Sequence, residues 1–181
     1  ATANEELTKK SRLLEAFHQI GIAASTSLEL YTILEELGIQ VLKTGIFRSL
    51  MIALVDEKRH LVRVHKSLTQ LGPNGKMLSH PRDSSPNVRG IEYDLDDDNI
   101  TAQVARTGTM QVLDSWDKRF DNQVSKNKSF SDQVSYFIPV KYNRQVLAVL
   151  ATGSLPEDKQ EMLQRIEAMS PLLDQVAVAL H

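Results

Sequence analysis

Asn99-Ile-Thr-Ala102 opens an amphipathic run directly after Asp96-Asp-Asp98. Asn99 or Asp98 is placed to cap a helix there, with the backbone N–H groups of Ile100, Thr101 and Ala102 aimed outward. Such donors, aided by the helix macrodipole, make a phosphate or carboxylate site. The plainer reading is a capped helix that binds nothing. Glu92, Asp94, Asp96, Asp97 and Asp98 favour that reading, because carboxylates repel an anion. Trp116 and Phe120 follow in a polar loop. Their rings suit stacking on a purine, or anchoring of the loop to the core; Trp116 is expected as a pocket wall and Phe120 as an anchor. Asp114, at a strand end, is placed to accept from a ligand amine or to cap the loop backbone. Ser135 and Phe137 share one face of a strand, and Tyr136 and Ile138 the other. Facing a pocket, the first pair supplies a hydroxyl and an apolar floor. Met51 and Ala53 fall on one face of a second strand by the same alternation. Core packing accounts equally well for these four.

Other chemistries lack their residues. There are no cysteines, which excludes thiolate nucleophiles, Cys-based zinc sites and thioether-linked chromophores, so no covalent cofactor is expected. His18, His60, His65, His80 and His181 are scattered and form no metal-spaced pair. His65 and His80 are the only candidates for the axial ligand of a non-covalent haem. The acidic run lacks the glycine and terminal glutamate of a calcium loop and reads as a solvated turn. No nucleophile elbow or phosphate-binding glycine loop is present. Arg48, Lys66, Arg106 and Arg119 are the cations near the proposed site, one of which could offset a phosphate.

The elements that must position these residues are legible in the patterning. Residues 4–24, including Leu7, Leu14 and Phe17, follow helical spacing, and Ser25-Thr-Ser27 separates them from a second helix over 28–42. A strand over 49–55 is apolar at every position, so both of its faces should be covered. An outer strand follows over 61–65. Residues 70–87, rich in Gly, Pro, Ser and Asn, read as a loop, and 88–95 as a third strand. The helix over 99–106 stops at Thr107-Gly108. A short strand over 110–114 and a hairpin of 134–142 with 145–153 complete the sheet. In the last helix Met162, Ile166, Met169, Leu173, Val176 and Leu180 alternate gaps of four and three, a coiled-coil seam. Pro171 is expected to bend it. Leu14, Phe17, Ile166, Leu173 and Leu180 are therefore the expected dimer contacts.

The 181 residues are 41% hydrophobic and 24% charged, with a net charge of −2. This is the balance of a folded domain without a basic field for nucleic acid or anionic lipid. No apolar run is long enough for a membrane helix, and the chain lacks a signal-peptide core, so a cytoplasmic location is expected. The final helix runs to His181, which predicts a further segment beyond it.

Taken in order, these segments carry a resemblance. Leu54-Val-Asp56, Ile100-Thr-Ala-Gln-Val-Ala-Arg-Thr-Gly108, Val112-Leu-Asp114, Arg119-Phe120, Ser135 to Val140 and Val146-Leu-Ala-Val-Leu150 together resemble a GAF domain over about residues 30–153. Residues 127–133 are similar in composition to the Asn-Lys, Phe, Asp-Glu set of cyclic-nucleotide-binding members. They are crowded together, however, and Gln133 stands where Glu would be. The resemblance implies an α+β fold with a six-stranded antiparallel sheet. Terminal helices would cover one face, and a pocket roofed by the short helix and loops would occupy the other. It divides the chain into an N-terminal signalling helix (1–27), a core (28–155) and a C-terminal helix (156–181) leading to an output domain. It also implies a non-enzymatic regulatory module that dimerises through its terminal helices. The expected ligand is a cyclic nucleotide, cAMP ahead of cGMP, and the expected output a diguanylate cyclase. The alternative is a ligand-free dimerisation module of a histidine kinase or cyclase.

Overall fold

The computed structural model describes residues 3–5, 35–36, 38–39, 42–43, 47–71, 77–83, 88–121 and 133–180. Seven antiparallel strands form one sheet: β1 (Ser49–Asp56), β2 (Leu61–Leu71), β3 (Met77–Asp83), β4 (Glu92–Asp94), β5 (Gln111–Leu113), β6 (Val134–Tyr142) and β7 (Gln145–Ser154). Their order is β3-β2-β1-β7-β6-β5, and β4 shares the outer edge of β2 with β3. Two helices are described in full, α1 (Ile100–Thr107) and α2 (Lys159–Leu180). Described positions between 35 and 43 are also helical.

Alternation along the central strands builds two cores. Leu50 and Ile52 of β1, Tyr136, Ile138 and Val140 of β6, and Leu150 of β7 face α2, where they bury Met162, Ile166, Met169 and Leu173. Ala53, Phe137 and Val149 project from the opposite face of the same strands, under Ile100, Val104 and Ala105 of α1. The uniformly apolar β1 is thus covered on both sides, as its composition requires. Gly38 lies close to the sheet. A Cβ there would lie 2.8 Å from Leu68 Cδ1. Ile39 and Leu42 join the same core.

Two elements differ from their sequence reading. Residues 70–87 do not form one loop: β2 continues to Leu71 and β3 pairs with it, Leu68 opposite Asp83. β3 contains Pro81, which an edge strand tolerates because only one side of its ladder is used. The strand expected over 88–95 shortens to Glu92–Asp94, preceded by a turn with Gly90 at φ 86°.

The coiled-coil seam takes a different partner from the expected one. Ile166 and Leu173 are each 6% exposed and pack on the chain's own sheet. The 4-3 spacing marks a single apolar stripe, which a flat sheet buries as readily as a second helix. α2 runs through Pro171 without interruption. The other expected dimer contacts, Leu14 and Phe17, lie outside the described residues, as does the side chain of Leu180. No described helix is long and apolar enough to cross a membrane.

Candidate functional site

A cavity of about 190 Å³ lies between the start of α1 and the sheet. It exists because its floor is made of small residues. β7 places Ala151 opposite Phe137 and Gly153 opposite Ser135, and β1 places Met51 opposite Ala151. The Gln133 amide overlies Gly153: a Cβ there would lie 2.2 Å from Gln133 Nε2, so a larger residue would have to displace that side chain. Phe120 closes one side, its ring centroid 6.0 Å from that of Phe137 at a tilt of 40°.

Of the residues expected at a ligand, Met51, Asn99, Ile100, Thr101, Phe120, Ser135 and Phe137 line this cavity. The other four do not border it. Ala53 and Ala102 are buried in the core beneath α1. Trp116 packs half-buried on that core. Asp114 is exposed and pairs with Lys159 of α2 at 2.7 Å.

The helix start is capped, and its donors are occupied. Asn99 Oδ1 accepts from the N–H of Thr101 at 2.8 Å and of Ala102 at 3.3 Å. Ile100 N–H donates to the carbonyl of Arg119 at 3.0 Å, and Gln103 N–H to that of Asn99 at 2.9 Å. The three donors expected to hold an anion are therefore bonded within the protein. At its other end Gly108 adopts φ 67° and donates to Val104 O, a left-handed stop that glycine accommodates without a Cβ clash.

The nearby cations are occupied elsewhere. Arg119 bonds Asp117 at 2.9 Å and Gln103 at 2.8 Å. That bond holds the Asp117 carboxyl below its ordinary range. Arg106 donates to the carbonyls of Leu95 and Asp97 and so ties the acidic turn to α1. Lys66 pairs with Glu35 at 3.2 Å. Neither these three nor Arg48 lines the cavity. The acidic run folds on itself: Asp96 N–H donates to Asp94 Oδ1, Asn99 N–H to Asp97 Oδ1, and the Asp96 carboxylate meets His60 Nε2 at 3.0 Å. It is a closed, solvated turn. His65 lies 3.9 Å from Glu35 and outside the cavity, so it offers no axial ligand there.

Two lining residues were invisible in the sequence. Tyr93 donates its phenol to Asp121 Oδ2 at 2.5 Å across 28 residues. Burial, followed by the hydrogen bond to Asp121, raises the Tyr93 phenol well above its ordinary pKa. Asp121 is the only charged side chain among the described lining residues. Gly153 and Ala151 could not be found from the hairpin turn alone, because a register shift between Val140 and Lys141 moves the residues opposite Ser135 and Phe137 by one.

No protein-family model matches the sequence, and no curated protein does. Solved structures do match. The GAF domain of nlh2 from A. aeolicus, in an inactive state, aligns over 94% of this chain and 96% of its own, with a TM-score of 0.70 at 12% identity. The free methionine-R-sulfoxide reductase of Neisseria meningitidis, in complex with its substrate, covers 99% and 93% at TM-score 0.62 and 13% identity. The phycoerythrobilin-bound GAF domain of a cyanobacterial phytochrome covers 97% and 95% at 0.59 and 16%. Sheet order, helix placement and these likenesses agree: the chain has the GAF fold.

Proposed function

We propose that this chain is the regulatory domain of a signalling protein and that its cavity takes a small-molecule ligand. The observation that carries the reading is the hollow beneath α1, on the sheet face opposite α2. Occupancy would draw α1 onto the sheet, and strands shared by both cores would transmit the shift to α2. The shift cannot exceed the ligand's differential affinity for the two arrangements. Two structures of similar fold hold a bound substrate and a bound bilin, which supports a ligand-binding role for the fold here.

cAMP, ahead of cGMP, is the ligand the sequence resemblance suggests, and it stands as one arm of the test. The occupied donors at α1 and the lack of a cation among the described lining residues weigh against a phosphate. So does the volume, which is below the roughly 300–1,000 Å³ of drug-sized pockets. An attached cyclase or kinase as output belongs to the same proposal. Dimerisation as the sole function is weakened, because the seam of α2 is committed to its own sheet.

The test is thermal melting and calorimetry of the 181-residue chain with cAMP, cGMP and a library of small metabolites. At 100 times its Kd a ligand adds about 2.7 kcal/mol of stability. We expect such a rise for at least one compound, and its loss in Gly153→Leu, which fills the floor. A library without any stabilising compound removes the sensing reading.

A further inference from the structure

On the reading that the cavity binds a ligand, we infer that the ligand is an uncharged molecule built around a single ring, and that ions of either sign are disfavoured. The polar groups of the wall, its cations and its apolar surface each bear on this chemistry.

The polar groups that could fix an ion are engaged within the protein. Asn99 Oδ1 accepts from the N–H groups of Thr101 and Ala102. Thr152 Oγ1 donates to the carbonyl of Ser49 at 2.7 Å. Asp121 Oδ2 accepts from the Tyr93 phenol at 2.5 Å, and Asp121 has a further interaction besides. No fully buried side-chain polar atom of a described lining residue lacks a hydrogen-bond partner. Buried polar groups are ordinarily satisfied, and here the protein does this without a ligand.

An ion entering this hollow would lose its hydration without replacement. No lysine, arginine or histidine is among the described lining residues. The donors at the start of α1 are bonded to Asn99 and Arg119. A carboxylate or phosphate therefore meets neither a cation nor an open N–H at that helix start, and its burial is unfavourable. An ammonium ion brings three donors and needs acceptors for them. To reach the Asp121 carboxylate it would have to compete with the groups already held there.

The apolar surface suits a ring. Met51, Ile100, Phe120, Phe137 and Ala151 border the hollow. The Phe120 and Phe137 rings, 6.0 Å apart and tilted by 40°, offer faces and edges on which a third ring packs. Burial of that ring supplies the affinity. The volume of about 190 Å³ is somewhat larger than the roughly 150 Å³ cavity that admits benzene. One ring with a short uncharged tail fits this volume.

The experiment titrates the 181-residue chain by calorimetry at neutral pH with three probes of one shape: 2-phenylethanol, phenethylamine and phenylacetate. The neutral alcohol should bind about 10- to 100-fold tighter than either ion, the range for leaving a buried polar group unsatisfied. Equal or tighter binding of phenethylamine or of phenylacetate overturns the inference. Methyl NMR of the same chain locates the probe. Bound 2-phenylethanol should shift the methyl resonances of Met51 and Ala151, and shifts confined to other methyl groups overturn the inference too. Neither measurement needs a variant to fold. If none of the three probes binds at millimolar concentration while a library metabolite stabilises the chain, the inference falls and the cavity reading stands. If no compound of either set binds, the two fall together.

Discussion

Asn99 determines what the start of α1 can and cannot do. Its side chain accepts from the N–H groups of Thr101 and Ala102, two donors of the first helical turn. Asn99→Ala should cost about 1 kcal/mol in urea unfolding, and Asn99→Asp should restore most of it, because either side-chain oxygen caps a helix. A neutral Asn99→Ala would mean the cap contributes nothing. Tyr93 gives a pH signature at the same scale. Its folded-state pKa lies above the unfolded value, so the folded chain holds a proton that the unfolded chain releases. The stabilisation is intact below about pH 10 and is lost as pH rises from there. Tyr93→Phe should flatten the fall of stability above that pH by about one proton. An unchanged slope would place the alkaline sensitivity on another group.

At the scale of elements, α2 is the informative case. Its stripe reads in the sequence as a coiled-coil seam, yet Met162, Ile166, Met169 and Leu173 all lie in the core it shares with β1, β6 and β7. Ile166→Asp should therefore abolish the cooperative thermal transition rather than yield a folded monomer. It buries an unpaired charge at a cost of roughly 4 kcal/mol or more, against a typical total of 5–15 kcal/mol. A well-folded Ile166→Asp chain with a normal melt and halved mass in light scattering would restore the dimer seam. Helices, by comparison, are written locally. The Asn99 cap, the apolar spacing of α1 and the Gly108 stop predicted it to within a residue, because every cause lies within the segment itself. β3 was missed because its Pro81 and polar residues are tolerated only by the edge position that β2 assigns to it.

At the scale of the molecule, one sheet serves two cores. Tyr136 and Phe137 are neighbours in β6 but belong to opposite faces, as do Leu150 and Val149 in β7. A change in packing under α2 must therefore move the strands that floor the cavity. Met169→Ala and Phe137→Leu should be non-additive by more than about 0.5 kcal/mol in a double-mutant cycle read by urea unfolding, although their side chains do not share a face. Strict additivity would mean that the sheet insulates the cavity from α2 and would remove the proposed route for a signal.

The sequence alone determined the two-sided burial of β1, the capped helix, the pairing of β6 with β7 and the alternation that puts Ser135 and Phe137 on one face. All of these follow from neighbours a few residues apart, through alternation, helical spacing and capping chemistry. Only the tertiary structure decided that the donors of α1 are spent, that the seam of α2 turns inward, and that Tyr93 and Asp121 meet at the cavity wall. Those outcomes depend on contacts between segments distant in the chain. No local pattern specifies which carbonyl, sheet face or carboxylate will be there to receive a given group.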